Sequence, residues 1–541
     1  MNEIVTKHVL QTLLDYGVEE FIICAGSRNS AFVQVLRLQE HLKCYYWPEE
    51  RSGAFFALGR SRLTNRPVAV IVTSGTAAAE LLPAAMEAYY SGVPLLLITA
   101  DRPRTFRGSG SPQSPEQVGL FGIYARYAQD IDKDSVCTLA EWDQQGPAHL
   151  NVCLEEPQSQ SPFAFTRLVA NSKLAPNESL QLSYDSINHP VVLDRFFNQA
   201  KNLLVIVSTL PEESREATID FLIKLGAPLH LESLSGLRDD SRLQHLRIRR
   251  TDKILETARE MGYEIDSVLR IGGVPTHRIW RDLEYLRDKV RVCSISRMPF
   301  SGLSWNRWVV HAPVHQVLTQ YCCDRDFSTE VVRNWMEIEK GYEKQLEELV
   351  SDEPTAEVSL VHDLAKIIPN KSHIYLGNGL PVREWDLSAS EAQQEFSITA
   401  TRGMCGIDGQ ISTFLGLCQP QIENWAILGD LTTLYDMAGF WILPQLEAMS
   451  ITLVIINNAG GRIFERVTNF PEMLNIHSLS FEPLAKMWGL EYERWERIPS
   501  AISKKQHRLI EIVPDLEASS RFLNKLATCK PNQKQVTVSM Q

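Results

Sequence analysis

Short runs of β-branched and aliphatic residues alternate with helix-like segments along most of the 541-residue chain. In the first third the apolar runs fall at 21–24, 44–47, 67–73 and 93–99, spaced by helical patterns that run to His41 and cover 51–63 and 77–90. Apolar runs without polar alternation belong to strands buried on both faces, and strands separated by helices run parallel. The alternation returns twice. A middle segment has strands at 203–207, 268–271 and 290–295 with helices at 211–225 and 277–287. A last segment has strands at 373–376, 425–428 and 451–456 with a helix at 435–446. A stretch rich in Ser, Asn, Pro and Gln at 171–190 reads as a linker, and a charged helix at 330–350 leads into the last segment. The pattern predicts an α/β protein of three doubly wound parallel-sheet domains in series, at 1–180, 190–350 and 355–541.

With 44% apolar residues the chain has ample material for three cores, which excludes a disordered or fibrous protein. Its 54 Lys and Arg against 66 Asp and Glu leave a net charge of -12, so nonspecific nucleic-acid binding is disfavoured. No apolar run approaches the about 18 residues of a membrane span, and the first ten residues lack a basic segment followed by an apolar core. The expectation is a soluble cytoplasmic protein. Ten cysteines without a CxxC pair or zinc-type spacing predict buried, reduced thiols, with the adjacent Cys322 and Cys323 read as packing.

Ligands of open parallel sheets bind beyond the carboxyl ends of strands, so the chemistry belongs in the segments that follow them. Four are unusual: 25–30 (AGSRNS), 74–76 (SGT), 100–103 (ADRP) and the Gly429-Asp430 turn. Asn458 stands 28 positions beyond Asp430, in Asn457-Asn458-Ala459-Gly460-Gly461 after the next long apolar run. A hard cation such as Mg²⁺ takes oxygen ligands and shares phosphate oxygens with few protein groups. An Asp carboxylate, an Asn amide oxygen and a backbone carbonyl two residues on suit it. Gly-Asp alone is equally a turn with an Asp helix cap; the Asn-Asn at this spacing makes the pair far more specific.

Gly-Asp followed by Asn-Asn at this distance resembles the cofactor motif of the thiamine diphosphate enzymes. The resemblance implies thiamine diphosphate with Mg²⁺, or Mn²⁺ in its place, held by Asp430, Asn458 and the carbonyl of Gly460. Gly429 and Leu431 flank the diphosphate, with Leu431 standing where many members have a second Gly. Such an enzyme also needs a carboxyl group to protonate the cofactor's aminopyrimidine, raised in pKa by desolvation. The candidate is Glu50 in Tyr46-Trp47-Pro48-Glu49-Glu50-Arg51-Ser52-Gly53, where a strand meets a helix rich in small residues. Without the metal motif, either glutamate reads as an acid favoured by the helix dipole. The family resemblance further implies cofactor contacts from Ser74, Gly75 and Thr76, with Ile407 holding the cofactor bent. It implies a homodimer or homotetramer with active sites at the subunit interface, and it covers all three segments.

Within the family, the loops 25–30, 50–55, 73–79, 99–103, 377–383, 402–409 and 460–464 resemble a branch that serves menaquinone biosynthesis. The reaction implied is decarboxylation of 2-oxoglutarate and conjugate addition of the product carbanion equivalent to isochorismate. The two substrates carry four carboxylates between them, and Arg pairs carboxylates bidentately while staying charged. A lone Arg is usually a surface ion pair; Arg28, Arg102, Arg383 and Arg402 all lie in the matching loops. By position Ser27, Arg28, Arg102, Gln113, Asn378, Arg383 and Arg402 match substrate-binding residues, and Ile463 and Phe464 an apolar wall. Arg278 matches the second residue of a Lys-Arg pair, with His277 replacing the Lys by a weaker, pH-dependent charge. None of the thirteen His falls in the Ser27, Glu50, Ser74 or Gly429 loops, which points to proton delivery by water, hydroxyls and the cofactor amine. Rival readings are another thiamine diphosphate carboligase or decarboxylase, such as a flavin-bearing acetohydroxyacid synthase, a noncatalytic diphosphate-binding homologue, and a plain nucleotide-binding protein. The last lacks its GxGxxG or GxxxxGK[ST] loop.

Overall fold

The computed structural model describes residues 2–156, 166–171, 189–306, 308–389, 395–446, 449–466, 470–503 and 507–529. Most of the expected linker, 172–188, lies outside them. Within them the strands are β1 (Glu20–Cys24), β2 (Lys43–Trp47), β3 (Val68–Val72), β4 (Leu95–Asp101), β5 (Tyr127–Ile131), β6 (Ala148–Cys153), β7 (Leu203–Val207), β8 (Leu229–Leu231), β9 (Ser267–Ile271), β10 (Arg291–Ser296), β11 (Val309–His311), β12 (His373–Leu376), β13 (Ser397–Thr399), β14 (Glu423–Gly429), β15 (Ser450–Ile456), β16 (Glu491–Trp495) and β17 (His507–Ile512).

They form three sheets, ordered β2-β1-β3-β4-β6-β5, β11-β10-β9-β7-β8 and β13-β12-β14-β15-β17-β16. Every pairing is parallel. The expected class, three parallel α/β sheets, is the observed one. The order reverses between β1 and β3, β7 and β9, and β12 and β14, and in the first and third sheets it turns back again at the β6-β5 and β17-β16 edges. Such a reversal splays the flanking loops apart and leaves a crevice at the carboxyl ends.

The central strands are buried on both faces, whereas the edge strands β2, β5 and β16 are partly exposed. Phe21, Ile23, Ala69, Ile71, Leu96, Ile98 and Leu150 share one face of the first sheet and pack with Val9, Leu13 and Phe32 from helices Asn2–Asp15 and Ser30–Leu36. A buried side chain of that size stabilises by roughly 1.5–3 kcal/mol. The chain divides into two compact units. One comprises Met1–Ser183, Gly403–Pro420 and Thr432–Met449, and holds the first sheet; the other comprises Tyr184–Arg402, Gln421–Leu431 and Ser450–Gln541, and holds the second and third.

Several elements differ from expectation. The helix expected at 77–90 is two, Thr76–Ala79 and Leu82–Ser91, the second starting around Pro83, which supplies no N–H and suits a first turn. The helix expected at 435–446 is a 3₁₀ segment, Met437–Gln445, with Pro444 inside it. The helical pattern to His41 ends at Leu36. The thiols are free as expected, but Cys322 and Cys405 are exposed and Cys44, Cys323 and Cys529 only partly covered.

Candidate active site

In the first unit, the loops after β1 and β3 flank the sheet's reversal. Asn29 ties them together: its Nδ2 donates to the carbonyls of Cys24 (2.8 Å) and Ile71 (3.4 Å), and its Oδ1 accepts from Gly26 N–H (2.7 Å). A Cβ at Gly26 would sit 2.6 Å from the Thr73 side chain, so only glycine lets the loops approach this closely. Ser27 is left exposed on the loop. Gly75 takes φ +96° beside a buried Ser74, and its N–H donates to Gln117 Oε1 (2.9 Å). The buried Gln117 is anchored in turn on Ala100 O and Asn151 Oδ1. Gln113 is exposed with φ +55° and backs onto Gly75.

Glu49 and Glu50 part company here. Glu49 caps helix Glu50–Thr64, accepting from Arg51 N–H (3.1 Å) and Ser52 N–H (2.8 Å). The Glu50 carboxyl is not used in the cap. Burial pushes it above the usual carboxylate range, and the charges of Glu49 and Glu80 push the same way against a backbone hydrogen bond. Two residues on, Ser52 donates to the buried Asp436 (2.9 Å), which also takes Ser412 N–H (2.7 Å). Burial raises Asp436 to about 6 against those hydrogen bonds. Ile407 is 37% exposed on a turn whose Gly403 and Met404 N–H groups both donate to the buried carboxylate of Glu87 (2.8 and 2.6 Å).

Arg28 and Arg102 converge. Arg28 is buried and donates to Leu154 O (3.0 Å) and Glu156 Oε1 (2.5 Å), and Arg102 reaches the same oxygen at 3.1 Å. One acceptor carboxylate thus already bridges two guanidiniums.

In the second unit, Gly429 pairs with Ile456, so Asp430 and Asn457 leave adjacent strands at one level. Asp430 Oδ2 accepts from Gly460 N–H (2.8 Å) and Oδ1 from Leu431 N–H (2.6 Å). Burial pushes this carboxyl up while those bonds pull it down. Asn458 is buried; its Nδ2 donates to both oxygens of Glu357 (3.0 and 2.9 Å), and its Oδ1 has no hydrogen-bond partner. A buried acceptor without a donor costs about 1–3 kcal/mol, and an oxygen-seeking cation beside the buried Asp430 would satisfy it. Gly460 has φ +136°, and a Cβ there would lie 2.5 Å from Leu474 O. The donor set therefore fits a divalent cation. His477 Nε2 stands 3.2 Å from Asp430 Oδ2, so the fold brings a histidine to the Gly429 turn although none lies near it in sequence.

Around the third sheet's reversal, Arg402 donates to Asn378 Oδ1 (2.7 Å) and Asn378 Nδ2 to Thr401 O (3.0 Å). Arg383 donates to the carbonyls of Gly379 and Thr276. Ile463 is partly covered and Phe464 is 40% exposed. Arg278 differs from the others: it is exposed and paired with Asp282 one helical turn on (3.2 Å), an ordinary surface ion pair. Residues that sequence reasoning passed over, Gln117, Glu87, Glu156, Glu357, Asp436 and His477, hold the loops or stand against them. They share no one local signal: Glu156 stands just past a strand, whereas Gln117 and Glu357 stand in segments that nothing in the sequence singles out.

Residues 4–120 match the N-terminal TPP binding domain of thiamine pyrophosphate enzymes. The chain is 41% identical over 518 residues to the 2-succinyl-5-enolpyruvyl-6-hydroxy-3-cyclohexene-1-carboxylate synthase of Bdellovibrio bacteriovorus, covering 95% of this chain and 96% of the relative. It is 36% identical to the synthase of the same name from Akkermansia muciniphila, again over 95% and 96% of the two chains. The fold is similar, with TM-score 0.67 and 15% identity, to a chain from Mycobacterium smegmatis assigned as a thiamin diphosphate-dependent enzyme, over 94% and 99% of the two. With its Gly-Asp and Asn-Asn turns on neighbouring strands and full-length similarity to these synthases, the chain belongs to the 2-succinyl-5-enolpyruvyl-6-hydroxy-3-cyclohexene-1-carboxylate synthase family of thiamine diphosphate-dependent enzymes.

Proposed function

We propose that the chain decarboxylates 2-oxoglutarate and joins the remaining four-carbon unit to isochorismate, forming 2-succinyl-5-enolpyruvyl-6-hydroxy-3-cyclohexene-1-carboxylate for menaquinone biosynthesis in the cytoplasm. The observation that carries this reading is the buried, unpartnered Asn458 Oδ1 beside Asp430 at two adjacent strand ends. Asp430, Asn458 and the Gly460 carbonyl would hold Mg²⁺, or Mn²⁺, with Gly429 and Leu431 beside the diphosphate. Bound thiamine diphosphate supplies a carbon that adds to the 2-oxo group and accepts the electron pair left by CO₂.

Glu50 holds the proton this chemistry needs. Its raised pKa keeps a fraction of the carboxyl protonated closer to neutrality, where it can donate to a pyrimidine nitrogen and take the proton back. Ser74, Gly75 and Thr76 line the cofactor's path, and Ile407 presses on it from its exposed turn. Arg28, Arg102, Arg383 and Arg402 pair with substrate carboxylates, assisted by Ser27, Gln113 and Asn378, while Ile463 and Phe464 exclude water. Arg278 would have to leave Asp282 to join them. The working assembly is a homodimer or homotetramer in which Glu50 of one subunit serves the metal turn of the other.

The test is turnover by the purified chain with thiamine diphosphate, Mg²⁺, 2-oxoglutarate and isochorismate, the product identified by mass. A succinyl adduct formed only with all four components is expected. Release of CO₂ with isochorismate untouched would overturn the acceptor, and absence of both the reaction itself. Glu50→Gln should still bind the cofactor and lose hydrogen exchange at the thiazolium carbon; unchanged exchange would remove Glu50 from this role.

A further inference from the structure

The middle sheet reverses between β7 and β9, as the other two do between their own strands, and its crevice is also furnished with polar groups. His230 lies on β8, Glu232 follows it, Ser208 follows β7, and Thr276 and His277 follow β9. One potential ligand atom from each of His230, Glu232 and His277 lies within 4.8 Å of the other two. The His230 and His277 rings meet edge to face at 5.0 Å.

His230 is 1% exposed, and neither ring nitrogen has a hydrogen-bond partner. Buried polar groups are nearly always paired, and each that is not costs about 1–3 kcal/mol. Glu232 is held in place by Ser208 Oγ, by Thr276 N–H (2.6 Å) and by His277 N–H (3.3 Å). His277 Nε2 faces Asp386 Oδ2 at 2.9 Å, and Asp386 accepts from Ser233 N–H (2.7 Å). That leaves Nδ1 as the donor and repeats the carboxylate–histidine support usual behind metal-binding imidazoles. Arg238, Arg383 and Arg402 also act on this cluster, yet none places a donor on His230.

The geometry points to a zinc ion held by His230, Glu232 and His277 at the carboxyl end of the middle sheet. Two imidazoles and a carboxylate suit Zn²⁺ and not Mg²⁺, which separates this site from the Asp430 turn. A bound zinc stands about 2.0–2.2 Å from its ligands, so binding draws the three donors inward.

The test adds Zn²⁺ or Co²⁺ alone to the chelator-treated full-length chain kept in excess Mg²⁺. Expected are one zinc per chain by elemental analysis and visible Co²⁺ bands. His230→Ala should abolish both, and Asp386→Asn should weaken zinc binding about 10–100-fold. Zinc-edge X-ray absorption of the unmutated protein provides a second reading that does not depend on the variants folding, and in it two imidazoles and an oxygen shell are expected. No bound zinc, zinc retained in His230→Ala, or a sulfur-rich shell would each overturn the site.

Discussion

At the scale of single residues, buried polar groups divide into those that are satisfied and those that await a partner. His149 is of the first kind: its Nε2 meets Thr99 Oγ1 at 2.7 Å in a chain that continues to Asn151. Burial lowers its pKa to about 4, opposed weakly by Asp130. The unfolded chain therefore takes up a proton near pH 6.5 that the folded chain refuses until about pH 4, and stability falls as pH drops through that window. From pH 7 to pH 5 the loss from this group is about 2 kcal/mol. Urea titrations at the two pH values should show it, and His149→Gln should shrink the difference by a similar amount. Asn458 is of the second kind. Its place near Asp430 was legible in the sequence because the two residues follow neighbouring strands. Glu357, which turns its amide, was not, because a lone glutamate in an amphipathic helix carries no local signature.

At the scale of elements, the helix Glu50–Thr64 packs on Gln410–Leu417 through two glycines. A Cβ at Gly59 would lie 2.2 Å from Thr413 O, and one at Gly416 would lie 2.3 Å from Phe56 O. Ala is favoured over Gly inside a helix by about 1 kcal/mol. Against that stands a clash with backbone that no rotamer change can relieve, worth about 1–3 kcal/mol or more. Gly59→Ala should therefore lower the melting temperature. Gly341, in helix Glu330–Asp352, is the control: a Cβ there meets nothing within 4 Å, so Gly341→Ala should raise it. A small-residue helix after Glu50 was legible in the sequence, but its partner was not, since the contact joins segments more than 350 residues apart. Central strands such as β3, β4 and β15 were equally legible from their unbroken apolar runs. The edge strands β5 and β16 were not: YAQDI and EYERW mix charge with apolar residues because one side of each has no neighbouring strand.

At the scale of the whole molecule, three parallel α/β sheets were legible because each strand and helix announces its own period, while the order of strands within a sheet has no sequence period to announce it. A further consequence follows from the proposed sharing of a site between subunits. Mixing Glu50→Gln with Asp430→Asn chains, each inactive alone, leaves half the dimers mixed, and each mixed dimer has one intact site of two. Recovery of about a quarter of normal turnover after exchange is expected; no recovery would mean that each chain builds its site by itself. The Glu156 carboxylate between Arg28 and Arg102 bears on selectivity in a different way. Those guanidiniums do not wait bare in water for an incoming anion. Under the proposed function, a substrate carboxylate that arrived there would trade places with an anion of the protein, so its gain would be the difference between two ion pairs rather than the whole of one. Charge alone then discriminates little between acids, and selection at this corner falls to the reach and shape of what the carboxylate is attached to.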